Sequence, residues 1–138
     1  MRAQLPAGVL SAEDREEAEG ILRACVHCGF CNATCPTYQL LGDERDGPRG
    51  RIYQIRSLLE GEVAGEETQT HLDRCLTCRA CESTCPSGVR YARLLDLAKP
   101  VLDRKVPRNS ASGGVRWLLR VLIPSRAFGV LVAVGRLC

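Results

Sequence analysis

Two stretches of this chain carry one pattern, fifty residues apart. Cys25-Val26-His27-Cys28-Gly29-Phe30-Cys31-Asn32-Ala33-Thr34-Cys35-Pro36 is echoed by Cys75-Leu76-Thr77-Cys78-Arg79-Ala80-Cys81-Glu82-Ser83-Thr84-Cys85-Pro86. Both read C-x2-C-x2-C-x3-C-P, and the Thr before the last Cys recurs as well. Of the 9 cysteines, only Cys138 lies outside the two runs. No other feature constrains the fold as strongly, because whatever joins these thiols ties distant residues into one unit.

The spacing has a physical rationale. A cubane iron–sulfur cluster presents four irons, and each takes one thiolate. Three cysteines at three-residue steps let a short loop wrap one face of a cube. The fourth is followed by Pro, which lacks an N–H and turns the chain away. In bacterial two-cluster ferredoxins this spacing sends the fourth Cys of each run to the other run's cluster. The expectation is therefore two 4Fe-4S clusters, the first on Cys25, Cys28, Cys31 and Cys85, the second on Cys75, Cys78, Cys81 and Cys35. Four-cysteine zinc sites instead show two C-x2-C pairs separated by a long gap. A disulfide framework needs an oxidising compartment, and Met-Arg-Ala-Gln-Leu-Pro is no secretory leader.

The 138 residues suit one small domain with a tail. Such a chain has limited apolar surface to bury, and its aromatics are only Phe30, Phe128, Trp117, Tyr38, Tyr53 and Tyr91. Clusters would then form part of the core, and metal binding becomes folding energy. The formal charge of +3 is misleading. Ligation deprotonates eight thiols and each oxidised core carries about +2, which brings the loaded chain to roughly −1. This balance gives little support for a nucleic-acid partner. The Arg excess reads equally as charge compensation near the clusters and as solvated surface. No nucleophile–base pair, phosphate-cradling Gly loop or catalytic pair of carboxylates is visible, so no chemistry on a substrate is expected from this chain by itself.

Along the chain, residues 1–10 read as a loose lead-in, and Ser11 caps a helix reaching Ala24 with Ala18, Ile21 and Leu22 on one stripe. Residues 37–41 are a short apolar piece. Residues 42–51, dense in Gly, Pro and charge, read as a loop, either solvated or facing a cluster with Arg49 or Arg51. In the latter case a guanidinium near a cluster would raise its potential. Residues 50–60 form a second helix, with Ile52, Ile55, Leu58 and Leu59 on one face and Gly61 as its stop. Residues 66–74 form a third. The fourth runs from about Val89 to Lys105 and buries Tyr91, Leu94, Leu95, Ala98, Val101 and Leu102, with a kink or interruption at Pro100. The helical inter-motif stretch is too long for a compact β-hairpin ferredoxin. The fold class is therefore all-α: an alpha-helical ferredoxin with two 4Fe-4S cluster-binding loops. Its parts are an N-terminal helix (1–24), the two-cluster domain (25–105), and a linker with an apolar helical tail (106–138). Residues 106–114 are linker by composition. Residues 115–123 are helix-like up to Pro124, and 127–135 are an apolar run; neither reaches transmembrane length. His27 and His71 are expected as exposed or hydrogen-bonded loop imidazoles and Cys138 as a free thiol.

The stretches Leu22–Cys31, Ala33–Glu44, Asp46–Tyr53, His71–Cys78 and Cys85–Tyr91 resemble the iron–sulfur subunits of glycolate oxidase, over about residues 20–105. The cluster runs alone belong to a wider helical-ferredoxin group that includes iron–sulfur subunits of succinate dehydrogenase, anaerobic glycerol-3-phosphate dehydrogenase and heterodisulfide reductase. The resemblance implies an electron-transfer subunit of an oxidoreductase complex, cytoplasmic or peripheral on the cytoplasmic face of the membrane. Its eight run cysteines would carry electrons toward a quinone or membrane acceptor from a flavin-containing catalytic subunit that oxidises glycolate to glyoxylate. FAD is expected on that partner only. Lactate or another 2-hydroxy acid, or glycerol phosphate, could equally be the partner's substrate, and a docking-only role is the further alternative. Members of that family continue into two cysteine-rich domains of the CCG type, so the chain reads as a truncation or a fragment. If the clusters belong to the core, anaerobic chelation of iron abolishes amide-exchange protection across residues 25–86; protection that survives iron removal contradicts that role.

Overall fold

The computed structural model describes residues 3–107 and 110–123, and every regular element among them is helical. The first is α1, Ala12–Ala24. Ser11 caps it, Oγ accepting the Asp14 N–H at 3.1 Å, and the acids Glu13 and Asp14 complement the positive end of the helix dipole. Ala18, Ile21 and Leu22 are buried along its one apolar stripe. Two short helices follow, α2 (Phe30–Ala33) and α3 (Pro36–Leu41), and then a 3-10 turn at Glu44–Asp46. The next, α4, spans Pro48–Glu60 and buries Ile52, Ile55, Leu58 and Leu59. Pro48 sits at its N-terminal turn, where a missing N–H costs nothing. Gly61, at φ 97°, closes it in the left-handed conformation that only glycine adopts without penalty. After it come α5 (Glu66–Asp73), α6 (Ala80–Thr84) and α7 (Tyr91–Lys105).

The core lies where α4 packs on α7, with α1 on α7 and the buried Leu72 of α5 added. The short helices α2 and α6, one after each cysteine loop, pack on each other. Thr34 Oγ1 donates to the Ala80 carbonyl at 3.4 Å across that contact. The two runs are thus neighbours in space, and the long helices form the frame behind them.

Several expectations change. Residues 3–10 are not a loose lead-in: Leu5 is buried in the core, and Arg104 Nη2 donates to the Val9 carbonyl at 2.9 Å. Residues 42–51 are not a solvated loop. They contain the 3-10 turn and the first turn of α4, and Asp46, Gly47, Pro48 and Arg51 are buried. Turn-forming composition hid a Pro-initiated helix. The last long helix starts at Tyr91 rather than Val89, and it runs through Pro100 without a break. Pro100 is exposed while Leu97, Ala98, Val101 and Leu102 are buried around it, so packing outweighs the one lost backbone bond.

The chain divides into two compact units, Met1–Val106 and Pro107–Cys138. Of the second, α8 (Ser110–Leu122) is described, and it begins inside the Ser/Gly-rich segment expected to be linker. Among the described residues no helix is long and apolar enough to cross a membrane. Pro124, the apolar run 127–135, Phe128 and Cys138 lie outside the described residues.

Two glycines make opposite predictions. A Cβ at Gly50 would collide with the Glu44 carbonyl oxygen, whereas one at the exposed Gly20 meets nothing. In denaturant unfolding, Gly50→Ala should lose about 2–3 kcal/mol and Gly20→Ala should gain about 0.5–1 kcal/mol.

Candidate metal centre

Each run begins where a helix ends. The α1 helix stops at Ala24 and α5 at Asp73, and the next backbone donors, of Cys25 and Cys75, close on Leu22 and Leu72. Inside each run the same two positions are left-handed: His27 (φ 56°) and Gly29 (φ 85°) in the first, Thr77 (φ 53°) and Arg79 (φ 61°) in the second. Alternating handedness aims successive N–H groups at one concave side, a cradle for negative charge. The His27 N–H accordingly bonds the Cys25 sulfur. A left-handed non-glycine residue costs on the order of 1 kcal/mol, and three of the four left-handed positions carry that strain.

The fourth cysteine of each run is held differently. Cys35 (φ −86°, ψ 114°) and Cys85 (φ −75°, ψ 115°) are extended, as a residue before Pro prefers. Their side chains leave their own run. One cavity is lined by Cys25, Cys28, Cys31 and Cys85, and the other by Cys75, Cys78, Cys81 and Cys35. None of the eight is joined in a disulfide; Cys28 and Cys78 are exposed, and Cys25, Cys35 and Cys81 are buried. Cys81, Pro48 and Tyr91 line both cavities and form the wall between them. The structure thus brings together all eight predicted residues in the two crossed groups of four.

The electrostatics fit a bound cationic group. Burial first, and neighbouring sulfurs after it, push the Cys25 and Cys31 thiols up, and Cys81 up to about 12. Four thiols facing one space ionise together only against positive charge. Around the second group that space is about 250 Å³, far more than one tetrahedral zinc needs; around the first it is about 30 Å³. The donor chemistry of both groups suits an iron–sulfur cluster held by four thiolates.

A buried polar network adjoins the second group. Arg51, 1% exposed, donates from Nε to the His71 carbonyl at 2.8 Å and from Nη1 to Thr37 Oγ1 at 3.1 Å. Its Nη1 also lies 3.9 Å from Cys35 Sγ, and its Nη2 lies 3.5 Å from Asp46 Oδ1. Arg74 Nη1 donates to Asp46 Oδ2 at 3.0 Å. His71 is not a loop imidazole: it is buried in α5, with Nδ1 3.0 Å from Asp46 Oδ1 but no well-directed hydrogen bond. Burial raises the Asp46 pKa, but His71 and Arg74 outweigh it and hold the carboxyl below its usual range. Asp43, Asp46 and His71 cluster closely enough to suggest a cation site, but the two guanidinium groups already meet that charge. Beside the first group, Arg49 Nε binds Glu44 Oε1 at 2.6 Å, and the buried Asn32 Nδ2 holds the same carboxylate at 3.0 Å. His27 is half-buried in its loop, and its Nε2 has no hydrogen-bond partner, where an exposed or hydrogen-bonded imidazole was expected. Asp46 and Glu44, signalled only by the charge in 43–51, and Asn32 and the buried Tyr91 hydroxyl, signalled by nothing nearby in sequence, were not foreseen.

The 4Fe-4S dicluster domain family matches residues 21–89. The glycolate oxidase iron-sulfur subunit of Escherichia coli K12 is 56% identical over 136 residues, which cover 98% of this chain and 33% of that protein. The probable glycolate oxidase iron-sulfur subunit of Bacillus subtilis 168 is 44% identical over 88 residues, 62% of this chain and 20% of that one. The succinate dehydrogenase iron-sulfur subunit of Paracoccus denitrificans is 34% identical over 58 residues, 41% of this chain and 22% of that one. The chain spans about a third or less of the length of these relatives. No solved structure matches it.

The crossed grouping predicts a labelling pattern. In iron-loaded Cys85→Ala, thiol alkylation mapped by mass spectrometry should newly modify Cys25, Cys28 and Cys31 while Cys35, Cys75, Cys78 and Cys81 stay protected. Iron should fall from about eight to about four per chain. New labelling of Cys75, Cys78 and Cys81 instead would mean that each run serves itself.

Proposed function

The chain belongs to the 4Fe-4S dicluster domain family, and from that footing we propose that it relays electrons within a glycolate-oxidising flavoenzyme complex. Cys25, Cys28, Cys31 and Cys85 hold one 4Fe-4S cluster, and Cys75, Cys78, Cys81 and Cys35 hold a second. When bound, such a cluster takes up and releases one electron at a time. The thiolates anchor each cluster through both runs, so the two sites keep a fixed separation. Buried Cys25, Cys35 and Cys81 keep water from the inner sides, while exposed Cys28 and Cys78 bring each site to the surface. The left-handed loop positions supply backbone N–H groups toward the sulfurs.

The single observation that carries this reading is that Cys35 and Cys85 each line the other run's cavity. Similarity to two glycolate oxidase iron-sulfur subunits supports the substrate of the complex. The flavin, with FAD as its carrier, belongs to a partner subunit that performs the oxidation, and a quinone or membrane acceptor receives the electrons. Eight thiols in ligand groups suit a reducing, cytoplasmic setting, and delivery to a membrane acceptor suits a peripheral place on the cytoplasmic face. Substrate choice rests with the partner, which performs the oxidation. The similarity to a succinate dehydrogenase iron-sulfur subunit favours a second reading, in which the same relay serves another dehydrogenase.

The test is anaerobic. Co-purified with its flavoprotein partner, the chain should lose visible cluster absorbance on addition of glycolate and show reduced-cluster EPR signals. Bleaching by lactate or glycerol phosphate but not glycolate would move the assignment to the second reading. Zinc in place of iron would end both.

A further inference from the structure

We propose that the Tyr91 hydroxyl is a hydrogen-bond donor to the Cys75 thiolate, which makes Tyr91 a positioning residue for the second group of cysteines and not for the first. The proposal rests on the reading of the two groups as cluster ligands. Tyr91 opens α7, is 4% exposed, and lies in the wall shared by the two cavities. Its oxygen is buried without a hydrogen-bond partner. A buried hydroxyl without a partner gives up its hydration uncompensated, and a buried tyrosine ordinarily finds a partner for it. The group its hydroxyl faces is Cys75. A neutral thiol is a weak acceptor, whereas an ionised ligand sulfur is a strong one. Beside an ionised sulfur, which has no hydrogen to give, the phenol has only the role of donor.

Position decides which group Tyr91 serves. Cys75 belongs to the same cavity as Cys35, toward which Arg51 Nη1 points from 3.9 Å. The second group therefore has two buried side-chain donors, one on a sulfur from each run. Arg49, beside the first group, is instead engaged by Glu44. A donor on a ligand sulfur stabilises the more negative, reduced state and raises the potential.

The experiment uses the full chain, loaded anaerobically with iron and sulfide, and an EPR-monitored potentiometric titration. Two midpoints are expected in the wild type. Tyr91→Phe, which removes only the hydroxyl, should lower one of them, leave the other in place and keep the iron content. Arg51→Lys should lower that same midpoint, and Arg49→Gln should leave it unchanged. Absence of two titrating clusters in the wild type overturns both the function and the role of Tyr91. With both clusters present, the role of Tyr91 alone falls if Tyr91→Phe shifts neither midpoint, shifts both alike, or shifts a different one from Arg51→Lys.

Discussion

Each half of this domain is completed by a sulfur from the other half, and the rest of the structure serves that exchange. It needs two fourth cysteines held extended by the following prolines, which the matching conformations of Cys35 and Cys85 provide. It needs the two runs side by side, which the packing of α2 on α6 and the Thr34–Ala80 bond provide. The helices α1, α4 and α7 then supply the apolar burial that a pair of short loops cannot.

Against this near-symmetric centre the charged groups are asymmetric. The second group of thiols adjoins a network in which Asp46 meets Arg51, Arg74 and His71 at the core. Arg51 is fully buried, and its guanidinium is occupied by the His71 carbonyl, Thr37 and Asp46. A buried cation persists only when paired and hydrogen-bonded. Arg49, two residues earlier, lies partly in solvent with Glu44. Pseudo-repeated cysteines thus sit in unlike surroundings, as expected where two otherwise equal carriers are to differ.

The crossed grouping of the eight thiols and the helical class were legible because each depends on a spacing rule with few solutions. The stripes of α1, α4 and α7 were legible from apolar periodicity. Residues 42–51 were not: Gly47, Pro48 and Gly50 look like turn residues, but Gly47 lies against the Asn32 and Tyr38 side chains, Pro48 opens α4, and Gly50 lets it pass close to the Glu44 backbone. A close approach is a tertiary fact with no local pattern. His71 was missed for a similar reason, since nothing in its neighbours in sequence announces Asp46. The left-handed His27, Thr77 and Arg79 were invisible because none is glycine, the residue that ordinarily marks such a conformation. Pro100 taught the reverse, since a strong local signal gave way to the buried residues on either side of it.

The crossing has a consequence for biogenesis. Translation proceeds from the N-terminus, so the first three thiols of the leading run leave the ribosome long before Cys85 does. On the proposed ligation, neither site can acquire its full coordination shell until nearly all of the domain has emerged. Cofactor delivery under that ligation is late, and the leading loop, whose Cys28 lies at the surface of the fold, is the part that waits for it.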